Sequence, residues 1–344
     1  MSKKKDLGQF YTTNYKYILN DFQIPKTCTD IIEPFAGKGD LIKYIHEQNE
    51  EINIEAYDIE PGNEDIKQND SFENCPDYNN KYVVTNPPYL ARNKSKNKSV
   101  FDKYQQNDLY KCFLYQLIEN NVCGGILIIP LNFFCSIRKS DQTLRKLFFS
   151  KYDIIKLNIF DEKIFEDTSY NICSFQFEKK KKKNCVLTRI YPNKKDISLI
   201  FYEKNNYMIG GELYQLKQDP NLKIERLTKK NKDSENIAYL LLKCIDDNEK
   251  KKIELKFVKR EDTYIDETPD LSARSYASMI IEPSVDMKRQ KKLVYEFNLF
   301  LNENRKKYHS LFLTNYRESN TIMRKRISFS FAFSIINYLL TNKA

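Results

Sequence analysis

The chain has 344 residues, 41 % hydrophobic and 30 % charged, with a formal net charge of +10; this length allows two domains, and the composition excludes a disordered or fibrous chain. No apolar run approaches the roughly 20 residues of a membrane span, and Met1–Asp6 lacks the apolar core of a secretory signal, so an intracellular site (cytoplasmic, nuclear or viral) is expected rather than secretion. Eight cysteines without Cys-x-x-Cys spacing and only two histidines, His46 and His309, argue against a zinc site, a disulfide framework and Ser-His or Cys-His catalysis, and for a reducing compartment.

Charge is divided unevenly. Residues 1–180 hold 24 Lys and Arg against 26 Asp and Glu, whereas residues 181–344 hold 33 against 21. The second half is therefore the side expected to meet a polyanion. Lys179–Asn184, which opens with five consecutive lysines, reads as a solvated linker between a domain 1–180 and a domain 181–344.

In chain order, the first half alternates strand-like and helix-like segments, the signature of an α/β fold with a largely parallel, doubly wound sheet flanked by helices. Asp30–Phe35 is the first expected strand. Gly37 and Gly39 follow it, before a helix over Leu41–Gln48. A Gly-x-Gly turn there lets the backbone approach a ligand, with helix N–H groups facing it. The absence of a Gly-Lys-Ser/Thr sequence separates it from an NTPase phosphate loop. Ile52–Ile59 is a second strand, whose end puts Asp58 where a ribose diol is gripped in nucleotide-binding sheets; a plain turn would use the same acid. Asn69-Asp70-Ser71-Phe72 then sets an acid beside an apolar ring, a pair suited to adenine.

Lys81–Thr85 is a third strand, stopped by Asn86-Pro87-Pro88-Tyr89. Neither proline has an N–H for the ladder, and both fix φ. The Asn86 side chain, the Pro87 carbonyl and the Tyr89 ring are then presented at the C-terminal edge of the sheet, where ligands sit in open α/β folds. Two acceptors beside an aromatic plane suit a flat group bearing an NH2, such as the adenine 6-amino group. Helical spacing returns over Asp108–Asn120, an apolar strand follows over Ile126–Ile129, and a helix covers Ser140–Tyr152. Strands Asp153–Phe160 and Ile172–Glu178 close the sheet. The second half mixes strand and helix signals, as an α+β domain does, and ends in Arg324–Leu340, expected as a docking helix.

Taken in this order, the motifs resemble those of the S-adenosylmethionine-dependent DNA methyltransferases that modify amino groups, and specifically the adenine-N6 enzymes of gamma motif order. The resemblance covers about residues 7–178 and implies a Rossmann-like catalytic domain followed by a target-recognition domain. It implies that Phe10, Tyr11 and Thr12 wrap the methionine end of S-adenosylmethionine. Glu33, Pro34, Phe35, Gly37 and Gly39 would form the glycine loop, with Glu33 toward the cofactor's amino group. Asp58 and Ile59 would hold its ribose, and Asp70 and Ser71 its adenine. Asn86, Pro87 and Tyr89 are then the catalytic residues, Asn86 also bordering the cofactor. Phe165, within Ile164–Asn171, would stack with Tyr89 on the two faces of a flipped base, with Tyr170 the alternative. Lys38 departs from the small residues usual in the glycine loop. No metal is implied.

The chemistry follows from residue types. The 6-amino lone pair of adenine is conjugated into the ring and is a poor nucleophile. Acceptors at Asn86 and Pro87 that hold both hydrogens favour a tetrahedral nitrogen, and fixed dipoles then meet the positive charge that develops there. No side-chain base is needed, in keeping with the scarcity of histidine.

The loop Ala91–Ser99 carries four basic residues and no acid, and Arg92 and Lys94 are expected to contact phosphates. In the second half Lys250–Arg260, Lys288–Lys292 and Arg305–Arg326 are basic clusters; Arg317, Arg324, Lys325 and Arg326 are the expected DNA-binding residues. Double-stranded DNA is the expected partner, without a membrane; a cognate restriction endonuclease would share the target without a stable complex. An adenine-N6 RNA methyltransferase is the main alternative, because a basic domain suits structured RNA as well. A protein glutamine-N5 methyltransferase also uses Asn-Pro-Pro-Tyr, but typically carries a helical domain before its glycine loop.

Overall fold

The structure is a computed structural model that describes residues 8, 10–165, 168, 170–181, 185–248, 250–267, 275–315 and 324–342. The chain divides into two compact units, residues 1–207 and 208–344. In the first, a short helix α1 (Tyr15–Ile18) precedes β1 (Asp30–Glu33), α2 (Asp40–Gln48), β2 (Asn53–Asp58), β3 (Lys67–Gln68) and β4 (Tyr82–Thr85). Helices α3 (Ser99–Tyr104) and α4 (Leu109–Glu119) lead to β5 (Gly124–Pro130). Then come α5 (Asn132–Cys135), α6 (Lys139–Lys151), β6 (Tyr152–Phe160), β7 (Ile172–Lys179), β8 (Cys185–Tyr191) and β9 (Lys195–Ile200).

These nine strands form one sheet in the order β3-β2-β1-β4-β5-β7-β6-β8-β9. The first five are parallel, and β7 inserts antiparallel between β5 and β6. Every residue of β5 is buried, which is why its sequence is a continuous apolar run rather than an alternation: helices cover both faces of a parallel sheet. The strand order reverses between β1 and β4, so a crevice opens beyond their carboxyl ends. Glu33 and Asn86 both lie there. The turn from β1 into α2 needs left-handed backbone at Gly37 (φ 55°) and Gly39 (φ 83°), a conformation glycine adopts without a Cβ penalty.

The second unit is α+β, as expected. Strands β10 (Lys223–Arg226), β11 (Ile237–Lys243), β12 (Glu254–Phe257) and β13 (Tyr276–Glu282) form an antiparallel sheet in the order β10-β13-β11-β12. Helix α7 (Met287–Tyr308) packs on β11 and β12. A two-stranded ribbon joins β14 (Thr314–Asn315) to β15 (Lys325–Arg326), and α8 (Phe329–Asn342) packs on β10 and α7.

Two expectations shift. The boundary falls at 207/208, because β8 and β9, beyond the lysine run, extend the first sheet; β8 alternates buried and exposed residues at its start, as a half-covered strand does. The run itself is tied to that unit, with the Lys181 N–H donating to Asp153 Oδ2 at 2.6 Å. Residues 182–184 lie outside the described residues. At the other end, Lys325 and Arg326 pair as a strand and the last helix starts only at Phe329, so the basic cluster is not a helix start. No helix among the described residues is long and apolar enough to cross a membrane.

Candidate active site

The carboxyl ends of β1, β2 and β4 surround a cavity of about 300 Å3. Its wall includes Phe10, Tyr11, Phe35, Gly37, Asp58, Ile59, Asp70, Ser71 and Asn86, which the sequence singled out, together with Phe72, Phe101 and Leu109. The backbone holds the acids in place. Asp58 accepts from the Gly37 N–H at 2.8 Å through Oδ2 and from the Glu60 N–H at 2.8 Å through Oδ1, and burial raises its pKa. Asp70 accepts from the Phe72 N–H at 3.0 Å. The Ser71 hydroxyl donates to the Pro34 carbonyl at 2.9 Å, joining the loop after β3 to the end of β1.

Glu33 lies beneath this wall and is completely buried. One of its oxygens accepts from the Phe35 N–H at 3.1 Å and from the Thr85 hydroxyl. The other, Oε2, is buried without a hydrogen-bond partner, and burial pushes the carboxyl up to about 8. Lys38 has a local role: its ammonium sits 5.1 Å over the Tyr11 ring, a cation–π contact, which accounts for a long side chain in the glycine loop.

The N-terminal segment crosses the tetrapeptide and fixes it. The Tyr89 N–H donates to the Gly8 carbonyl at 3.0 Å. Gly8 has φ 69°, and a Cβ on it would meet the Tyr89 carbonyl oxygen at 2.7 Å, so only glycine fits. Asn86, 8 % exposed, donates through Nδ2 to the Phe10 carbonyl at 2.9 Å and to the Thr12 hydroxyl at 3.0 Å. Both hydrogens of the amide are thereby taken by acceptors. The amide therefore has one orientation, with Oδ1 as its acceptor. The Tyr89 hydroxyl donates to that Oδ1 and has a second acceptor in the Ile128 carbonyl at 2.7 Å. Thr12 therefore acts on Asn86 and is not part of the cavity wall, and of the two prolines Pro88 lines the cavity.

The aromatic residues come together. Phe10 stacks on Tyr89 (centroids 5.2 Å, 25°) and on Phe165 (5.8 Å, 30°). Tyr170 meets Tyr89 edge-on at 6.0 Å, and its hydroxyl donates to Asp108 Oδ2 at 2.7 Å. Phe165, not Tyr170, is thus the ring presented face-on. Asp108, whose carboxyl burial raises to about 6, was missed in the sequence: it looks like an ordinary helix-start acid ahead of α4, and only the fold puts it under Tyr170.

The basic residues separate. Lys94 lines the cavity with Ser95, Lys96 and Asn97, and Arg92 pairs with Asp102 at 2.8 Å; the loop borders the pocket while Arg92, Lys94 and Lys96 stay exposed. Lys325 is 5 % exposed and Arg324 and Arg326 are half-buried. Lys325, buried in its strand, does not present the exposed ammonium expected of a DNA contact. Arg317 lies outside the described residues. Among the described residues no group of three or more His, Cys, Asp or Glu side chains could hold a metal.

With this geometry established, similarity to known proteins is specific. Residues 15–165 match the Eco57I restriction-modification methylase family. Over these residues the match agrees with the resemblance to restriction-modification DNA methyltransferases read from the motifs. The chain is 29 % identical over 205 residues to the Type II methyltransferase M.AccI of Acinetobacter calcoaceticus, covering 48 % of this chain and 36 % of that protein; it thus spans little more than a third of this curated relative. Among solved structures it is similar to the methyltransferase subunit of a type I restriction-modification system from Streptococcus thermophilus (TM-score 0.40, 16 % identity, 57 % of this chain and 51 % of that one). It is also similar to the type IIG restriction endonuclease BpuSI (TM-score 0.42, 14 % identity, 66 % and 36 %).

Proposed function

We propose that this chain methylates N6 of an adenine flipped out of double-stranded DNA. The observation that carries the proposal is the locked Asn86 amide, whose one acceptor oxygen belongs to a residue in the wall of a cavity that also holds two acids and several apolar rings. The cavity suits the cofactor: Asp58 offers acceptors for a ribose, Asp70 with Phe72 and Phe101 suits an adenine, and the unpartnered Glu33 Oε2 suits an amino group. When bound, S-adenosylmethionine supplies an electrophilic methyl group on its sulfonium.

The protein's own contribution is positioning and fixed dipoles. Asn86 Oδ1 accepts an N–H of the target amino group, and the Pro87 carbonyl takes the second. As the base arrives, the Tyr89 hydroxyl cedes Oδ1 and keeps the Ile128 carbonyl, so no buried donor is left unpaired. Tyr89 and Phe165 hold the two faces of the base. The restriction-modification match favours duplex DNA over RNA or protein as substrate. A candidate surface for its phosphates is the outer face of α7, where Lys288, Lys291, Lys292 and Lys306 are exposed around Tyr295.

The test is methyl transfer from labelled cofactor to duplex DNA, structured RNA and a glutamine-bearing peptide, followed by digestion to nucleosides. N6-methyladenine from the duplex is expected, and Asn86→Ala should abolish it while cofactor binding persists. Label in RNA or peptide alone would overturn the assignment.

A further inference from the structure

The three-ring stack does more than wall the site. Phe10 is the face-on neighbour of both Tyr89 and Phe165, the two rings between which the flipped base is placed in the proposed function, on which this inference rests. Its own ring is therefore where the base would go. Phe10 is not a core residue: it is half-buried, whereas Tyr89 is 3 % and Phe165 8 % exposed. Its backbone is anchored independently of its ring, through the Asn86 contact to the Phe10 carbonyl and the neighbouring Gly8 and Thr12 contacts. A turn about χ1 would move the ring without disturbing what orients Asn86, and such side-chain motions are fast. The acceptor is likewise filled, since the Tyr89 hydroxyl occupies Asn86 Oδ1.

We propose that Phe10 is a placeholder for the target base: its ring fills the slot between Tyr89 and Phe165 in DNA-free protein and leaves when the base enters. A slot held open and wet would leave two aromatic faces to water. The placeholder keeps them covered, and the incoming base has to beat a ring stack. A group that stacks or pairs poorly would be refused, which makes Phe10 a determinant of specificity as well as of shape.

The chain contains no tryptophan, so Phe10→Trp would carry a single indole reporter. In DNA-free protein its emission should be blue-shifted and weakly quenched by acrylamide. Saturation with a duplex bearing the sequence found methylated in plasmid DNA should shift it to the red and raise quenching several-fold. An indole exposed in the free protein, or one equally shielded at saturating DNA, would overturn the placeholder. A second variant does not depend on fitting the larger ring. Phe10→Ala should lower the half-saturating concentration of that duplex about fivefold, the equivalent of one aromatic pair of about 1 kcal/mol. An unchanged or raised value would mean that Phe10 is a fixed wall of the slot. Failure of the methylation reading shows separately, as wild-type protein that labels no DNA, and removes the placeholder role even if the indole is shielded.

Discussion

Replacing Thr12 by valine removes one hydroxyl and almost no volume, and the structure says what that hydroxyl does. It accepts from Asn86 Nδ2 at 3.0 Å, and Thr12 is 4 % exposed. Water cannot easily take its place. Without it, one amide hydrogen of Asn86 is buried and unpaired, which costs about 1–3 kcal/mol. The orientation that points Oδ1 at the substrate loses about that much of its advantage over competing ones. At 1.36 kcal/mol per tenfold, the transfer rate should fall about 5- to 150-fold, with cofactor affinity changed far less. Thr12→Ser keeps the acceptor and should restore most of the rate. Single-turnover transfer of labelled methyl, with saturating cofactor and duplex, measures this directly. A Thr12→Val rate within twofold of wild type, or a serine variant no better than the valine one, would show that the Phe10 carbonyl alone sets the amide.

Two further outcomes are expected. Glu33 has its carboxyl raised from 4.5 to about 8 by burial, so between those values the folded protein binds a proton that the unfolded chain has released. Its contribution to stability is present below about 4.5 and lost as pH rises toward 8. Glu33→Gln should flatten that fall, seen as a melting temperature that gains on wild type from pH 5 to pH 8 in cofactor-free protein; parallel profiles would exclude a buried proton at Glu33. In the second unit, neutralising Lys288, Lys291 and Lys292 should reduce the salt slope of DNA binding by roughly 0.9 for each phosphate these lysines neutralise. Lys325→Ala should instead lower thermal stability and leave the slope alone. The reverse pattern would return recognition to the 324–326 cluster.

The alternation of apolar runs and turn signals was enough to give β1, β2, β4, β5, β6, β7 and the helices α2, α4 and α6 within a residue or two, because each buries its own face and its pattern is local. The tetrapeptide after β4 and the acids after β1 and β2 could likewise be placed at one sheet edge, since strand direction alone sends all three to the same end. The two-residue β3 was invisible, being too short for any period to show. Strands β8 and β9 were assigned to the wrong domain because a lysine run looks the same whether it links two domains or bridges two strands of one sheet.

Tertiary structure decided everything that depends on which side of a residue is covered. Charge in the sequence counts Lys325 and Lys292 alike, but pairing and packing bury the first and leave the second in water. The basic loop after the tetrapeptide borders the cavity, which no residue count signals. Asn86 lies more than seventy positions from both Phe10 and Thr12. Only folding brings the Phe10 carbonyl and the Thr12 hydroxyl to one amide nitrogen, and so turns an asparagine that the sequence could place into an acceptor with a single direction.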